Sequence, residues 1–156
     1  MIQQYHDLYL VVQTDDGLLF IDQHAAHERI LYEQFKKEYL EKKKNINSIP
    51  LKKPLLLNIR LSEKSIIEQY KNELKQFGFQ FTKDLTQITH IPNWIKDQNT
   101  TQELRLLLEE LIDNARLPSL TAFTNRVIQF LACKNAVKAG DPLTKSESMK
   151  LIQKIS

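Results

Sequence analysis

The sequence predicts an α/β (α+β) fold in two lobes. Three observations carry that reading. Residues 9–12 and 18–22 are apolar and strand-like, with Asp16-Gly17 between them, a hairpin signal because glycine accepts the positive φ a tight turn demands. Ala26, Ile30, Leu31 and Phe35 then repeat at three-to-four spacing, the period of an amphipathic helix. Residues 61–117 then read as a self-contained insert of helix, strands and helix. Residues 1–60 and 118–156 make the flanking lobe. Strands mixed with helices give this class, with a mixed sheet expected in the flanking lobe and a smaller α/β arrangement in the insert.

Taken in order, the first helix runs from His24 to about Leu40. Leu55-Leu56-Leu57-Asn58-Ile59 reads as a strand after Pro54. Ser62 is placed to cap a helix whose Ile67, Tyr70, Leu74 and Phe77 share one stripe, with Gly78 as its stop. Two short strands follow, at residues 79–81 and 88–91. Thr100 and Glu103 have capping-box spacing before a helix over residues 104–111, and Pro118 breaks the chain. A long helix is expected over residues 122–139, ended by Gly140. Thr144 and Glu147 form a second capping box for a last helix, which offers Met149, Leu151, Ile152 and Ile155 for packing.

Composition bounds the function. With 42% hydrophobic and 26% charged residues the chain has the material for a soluble, cored domain. No apolar run approaches the length of a membrane span, and the first residues lack the pattern of a secretion signal. A single cysteine, Cys133, excludes an intrachain disulfide and suits a reducing compartment, so a cytoplasmic location is expected. The net charge of +3 is unevenly spread: seven lysines stand against two glutamates between Lys36 and Lys53. That stretch, with Lys42, Lys43 and Lys44 at its centre, suits either a phosphate backbone or plain solvation.

The chemically informative stretch is Asp22-Gln23-His24-Ala25-Ala26-His27-Glu28-Arg29-Ile30-Leu31-Tyr32-Glu33. On a helix His24 and Glu28 stand one above the other, and Asp22 at the strand end can turn toward the same point. An imidazole and two carboxylates gathered in this way suit a divalent ion such as zinc or manganese. The same residues also suit a surface His–Glu pair with Asp22 as a helix cap. His27 and Glu33 fall on other faces, and His6 and His90 have no suitable neighbours. Far along the chain stands Leu131-Ala132-Cys133-Lys134-Asn135-Ala136-Val137-Lys138-Ala139-Gly140. Cys133 is either a small buried hydrophobe or a thiolate favoured by Lys134 and Lys138. A cysteine-protease reading lacks a specified base.

These two stretches resemble the MutL family of DNA mismatch repair proteins. Asp-Gln-His-Ala, two residues, Glu, four residues, Glu is that family's endonuclease motif, and it stands intact from Asp22 to Glu33. Ala132-Cys133-Lys134 followed by Ala136 and Lys138-Ala139-Gly140 is similar to its second motif. The likeness covers essentially the whole chain and identifies it with the C-terminal dimerisation and endonuclease domain.

The resemblance implies a dimerisation lobe (1–60 and 118–156) carrying the nuclease motifs, and an inserted regulatory lobe (61–117). It implies metal ligation by Asp22, His24, Glu28 and Cys133, catalytic roles for Asp22, Glu28 and Glu33, and Zn2+ or Mn2+ as cofactor. The reaction would be hydrolysis of a phosphodiester in one DNA strand. The implied partners are a second copy of the chain, double-stranded DNA held by Lys42, Lys43 and Lys44, and mismatch-recognition and sliding-clamp proteins, with no membrane. The family places an ATPase domain upstream, and its Cys-Pro-His-Gly-Arg-Pro and Phe-x-Arg segments would fall after Ser156. Its clamp motif is degenerate here, as Asn45-Ile46-Asn47-Ser48-Ile49-Pro50-Leu51. Two readings therefore stand side by side: a nicking endonuclease domain, or a non-catalytic dimerisation scaffold because the last part of the metal site is missing from this chain. An unrelated zinc module sharing only the first motif is the third.

Overall fold

A computed structural model describes residues 1–42, 48–93, 109–110, 113 and 119–155. The fold mixes two three-stranded sheets with helices, and the chain divides into two compact units. One comprises Met1–Phe35 with Ala132–Ser156, the other Lys36–Leu131.

In the first unit β1 (Ile2–Tyr5), β2 (Tyr9–Thr14) and β3 (Gly17–Asp22) form an antiparallel sheet in the order β1-β2-β3. The β2–β3 hairpin closes where expected, with Thr14 opposite Gly17, whose φ is 145°. Strand β1 has no counterpart in the sequence reading. Its turn into β2 runs through His6 and Asp7 at φ of 51° and 52°, and Leu8 N–H donates to the Tyr5 carbonyl at 3.1 Å. Left-handed backbone most often calls for Gly, and His and Asp, though enriched there among other residues, give a much weaker turn signal.

Pleating sorts the sheet's side chains. Leu10 and its cross-strand partner Ile21 share a face with Gln4, and Leu10 is fully buried. Tyr5, Tyr9, Leu18 and Phe20 share the other face and are all exposed, Leu18 by 65% and Phe20 by 57%. Helix α1 (Gln23–Lys42) leaves β3 directly. Asp22 caps it, its Oδ1 accepting the Ala25 N–H at 2.9 Å.

In the second unit β4 (Ser48–Leu56), β6 (Gln87–Pro92) and β5 (Gln80–Phe81) pair antiparallel in the order β4-β6-β5. Strand β4 begins earlier than expected and contains Pro50 and Pro54. It tolerates them because it is an edge strand whose register shifts between Pro50 and Leu55. Its pairing with β6 draws residues 48–56 into this unit. The expected single helix after residue 62 is two, α2 (Leu61–Gln69) and α3 (Lys71–Gln76). The cap precedes Ser62: Glu63 accepts the Arg60 N–H. The expected stripe holds, since Ile67, Tyr70, Leu74 and Phe77 are all buried. Gly78 is required after it, at φ 101°, because a Cβ there would lie 3.0 Å from Pro92 Cα. Tyr70 stacks on Phe123 with ring centroids 4.1 Å apart.

Helix α4 (Leu120–Asn135) stops four residues short of the expected end, for a reason that belongs to the site below. Helix α5 (Lys145–Ile155) lies against β1 in the first unit. Its capping box is formed: Thr144 N–H donates to Glu147 Oε2 at 2.7 Å, and Glu147 N–H to Thr144 Oγ1 at 3.2 Å. Those bonds hold the Glu147 carboxyl below its ordinary range. Of its four packing candidates Leu151 is buried, while Met149 and Ile155 are exposed. Residues 43–47, 100–108 and 111–112 lie outside the described residues, and with them Lys43, Lys44, the first capping box and part of the degenerate clamp motif. The backbone of Lys42 ends α1; its side chain is also outside that description. Among the described residues no helix is long and apolar enough to cross a membrane.

Candidate metal centre

The first turns of α1 and the end of α4 meet within the first unit. His24 Nε2 lies 3.2 Å from Glu28 Oε2 and 3.9 Å from Cys133 Sγ. The three ligand atoms fall within 4.8 Å of one another, and all three residues are half-buried. His24 and Glu28 meet because they are one helical turn apart. Cys133 is brought in by packing: its neighbour Ala132 is fully buried and Ala136 nearly so, while Cys133 itself keeps an accessible face.

The protonation of His24 follows from its other nitrogen. Nδ1 sits 2.7 Å from the Val137 carbonyl, which can only accept, so Nδ1 carries the hydrogen. In the neutral ring Nε2 then presents a lone pair toward a carboxylate oxygen and a sulfur. The Cys133 thiol hydrogen can bridge one pair of these atoms, whereas a cation in its place would take up all three lone pairs at once. A tetrahedral ion with bonds of about 2.0–2.3 Å separates its ligands by roughly 3.3–3.7 Å; the two separations from His24 are 3.2 and 3.9 Å, and all three atoms lie within 4.8 Å of one another. Imidazole, carboxylate and thiolate are the donors that zinc accepts, and the residues fit such an ion.

Why α4 ends at Asn135 is now visible. In a continuing helix the Val137 N–H would donate to the Cys133 carbonyl. Here the Cys133 carbonyl accepts the Lys138 ammonium, and the Val137 N–H donates to His27 Nδ1 at 2.9 Å. His27 is held below its ordinary pKa, first by burial and then by Lys154, His24 and Lys138, which keeps the ring an acceptor.

Gln23, between two of the expected ligands, is fully buried and ties the site's surroundings together. Its Nε2 lies 2.8–3.0 Å from the carbonyls of Asp7, Lys138 and Asp141, and its Oε1 accepts from Gln4 at 2.7 Å. Gly140 N–H donates to the same Asp7 carbonyl at 2.7 Å. A buried glutamine with both ends satisfied fixes the β1–β2 turn, the start of α1 and the residues after α4 together. Sequence reasoning passed over Gln23 and set His27 aside. Its one available signal was that both flank His24 in a single helical turn.

The structure does not bring every expected site residue to this point. Asp22 is exposed at the helix cap, and Glu33 is five residues past Glu28, about 140° round the helix. Both carboxylates line a separate open groove of about 820 Å³, together with Phe20, Arg29 and Lys154. There Glu33 Oε1 pairs with Arg29 at 2.8 Å, and both side chains are well exposed.

A family profile described as the MutL C terminal dimerisation domain matches residues 2–143. The chain belongs to this family. Proteins named DNA mismatch repair protein MutL align along nearly all of it. That of Kosmotoga olearia is 36% identical over 156 residues, covering 97% of this chain and 24% of the relative. That of Thermosipho africanus is 35% identical over 151 residues, covering 94% and 25%. That of Clostridium botulinum is 34% identical over 156 residues, covering 98% and 23%. The chain thus spans about a quarter of the length of these curated relatives.

Proposed function

We propose that this chain serves DNA mismatch repair by joining two copies of a MutL-type protein and by contributing His24, Glu28 and Cys133 to a divalent-cation centre that nicks one DNA strand. The convergence of three lone-pair donors from segments 109 residues apart carries the reading. His24 offers Nε2 because Nδ1 is committed to Val137. Glu28 and Cys133 offer negative charge that cancels a cation's charge and holds it against the helix. A bound zinc or manganese ion would supply a Lewis acid for the scissile phosphate and lower the pKa of water at it.

Asp22, proposed as a catalytic acid, stands at the helix start it caps, two residues before His24. Glu33 enters as the motif's last acid, on the groove wall with Arg29. Lys42, Lys43 and Lys44 are proposed to hold the flanking DNA backbone with salt-dependent strength. The flanking segments then act as the dimerisation lobe and residues 61–117 as the regulatory one. Mismatch-recognition and sliding-clamp proteins are the further partners, in the bacterial cytoplasm near the nucleoid.

The test is manganese-stimulated nicking of supercoiled plasmid by the full-length protein. Glu28→Gln is expected to abolish nicking while sedimenting as the wild type does. Equal nicking by Glu28→Gln contradicts the reading.

A second reading, a dimerisation scaffold without chemistry of its own, is favoured by the exposed sheet face of Tyr5, Tyr9, Leu18 and Phe20. Contiguous apolar surface of this kind marks an interface. A dimer with no cation-dependent nicking at full length would select it.

A further inference from the structure

The two histidines of α1 that flank the centre are locked in opposite tautomers by the backbone of one residue. Val137 accepts from His24 Nδ1 through its carbonyl and donates to His27 Nδ1 through its amide. The first bond requires hydrogen on His24 Nδ1; the second requires a bare Nδ1 on His27. Only the first ring touches the ligand cluster.

We infer that His27 is a positioning residue for the cation centre: by taking the Val137 amide it holds the Val137 carbonyl where that carbonyl fixes His24 with Nε2 bare and aimed at Glu28 and Cys133. The inference rests on the metal reading above. The helical acceptor of its amide, the Cys133 carbonyl, is taken by the Lys138 ammonium. Without His27 the amide lacks its partner, the Val137 backbone shifts, and the bond that selects the His24 tautomer weakens. Partners behind a ligand commonly change metal affinity by about 10–100-fold when lost, because they set ring orientation and tautomer. His27 differs from the usual case in acting through a second residue's backbone. Its effect is expected near the lower end.

The test has two readouts on the whole chain. In the metal-free protein at pH 8, ring 15N shifts are expected to show His24 protonated at Nδ1 and His27 protonated at Nε2. His27→Leu should mix the His24 tautomers. His27→Asn, which places an oxygen where Nδ1 was, should restore a single one. Titration with Co2+ is expected to be roughly tenfold weaker in His27→Leu and within about threefold of wild type in His27→Asn. If His27→Leu does not fold, the wild-type shifts still decide: hydrogen on His27 Nδ1 overturns the inference. An unchanged His24 tautomer in His27→Leu, or His27→Asn as weak as His27→Leu, overturns it too. A wild-type chain that takes up no Co2+ while keeping the expected tautomers overturns the metal reading, and leaves the Val137 bonds to the two rings supported.

Discussion

The sulfur of Cys133 lies 3.9 Å from Nε2 of His24, across 109 residues of sequence. Local structure brings His24 to Glu28. Only the packing of α4 and the bonds through Val137 bring the thiol, so the centre reports on the tertiary fold of the first unit.

That dependence makes Gln23 a stability residue of the site. Replacing it with Leu removes an amide whose two N–H groups lie among the carbonyls of Asp7, Lys138 and Asp141, and takes from the Gln4 amide one of its two acceptors. Unfolding free energy is expected to fall by about 2 kcal/mol, since each hydrogen bond lost costs about 0.5–1.5 kcal/mol. Urea denaturation checks this. A change below about 0.5 kcal/mol would mean that water replaces the amide freely.

The sheet face of Tyr5, Tyr9, Leu18 and Phe20 is expected to be covered by a second copy. Phe20→Asp should produce monomers by sedimentation velocity at micromolar concentration. Burial of one such side chain is worth about 2 kcal/mol in each copy, so the dimer constant should weaken by roughly a thousandfold. A dimer that survives Phe20→Asp and Leu18→Asp together uses another surface.

Asp84 gives a pH signature independent of the site. Hydrogen bonds from the Thr82 hydroxyl, and from the hydroxyl and amide of Thr86, hold its carboxyl down to about 2. A depressed carboxylate stabilises the fold above its unfolded pKa of 3.8, and that contribution is lost as pH falls through about 2. A carboxyl 13C titration should place the Asp84 midpoint near 2 and leave it flat above pH 4. A midpoint close to 3.8 would show that the turn is open in solution.

Much of this was legible in the sequence, and the exceptions share a cause. The β2–β3 hairpin, the Thr144–Glu147 box and the stripe from Ile67 to Phe77 depend on residues close in sequence, and each is found. The end of α4 was misplaced because His27 and Lys138 divert its last hydrogen bonds, which no helical period records. Strand β1 was missed because His6 and Asp7 adopt left-handed backbone without glycine. In the site, His24, Glu28 and Cys133 were named from two motifs and do converge. The hub formed by Gln23 was not legible, since a buried glutamine looks like any polar residue in a one-dimensional pattern. Asp22 was read both as a ligand and as a cap, and the structure places its carboxylate on the Ala25 amide.

The most direct test of the account is cobalt spectroscopy on the 156-residue chain. Co2+ held by His24, Glu28 and Cys133 should show a sulfur-to-cobalt charge-transfer band that disappears in Cys133→Ser, with visible bands that weaken in His24→Ala. A spectrum indifferent to Cys133→Ser would contradict the claim that this thiol and the α1 ligands share one ion.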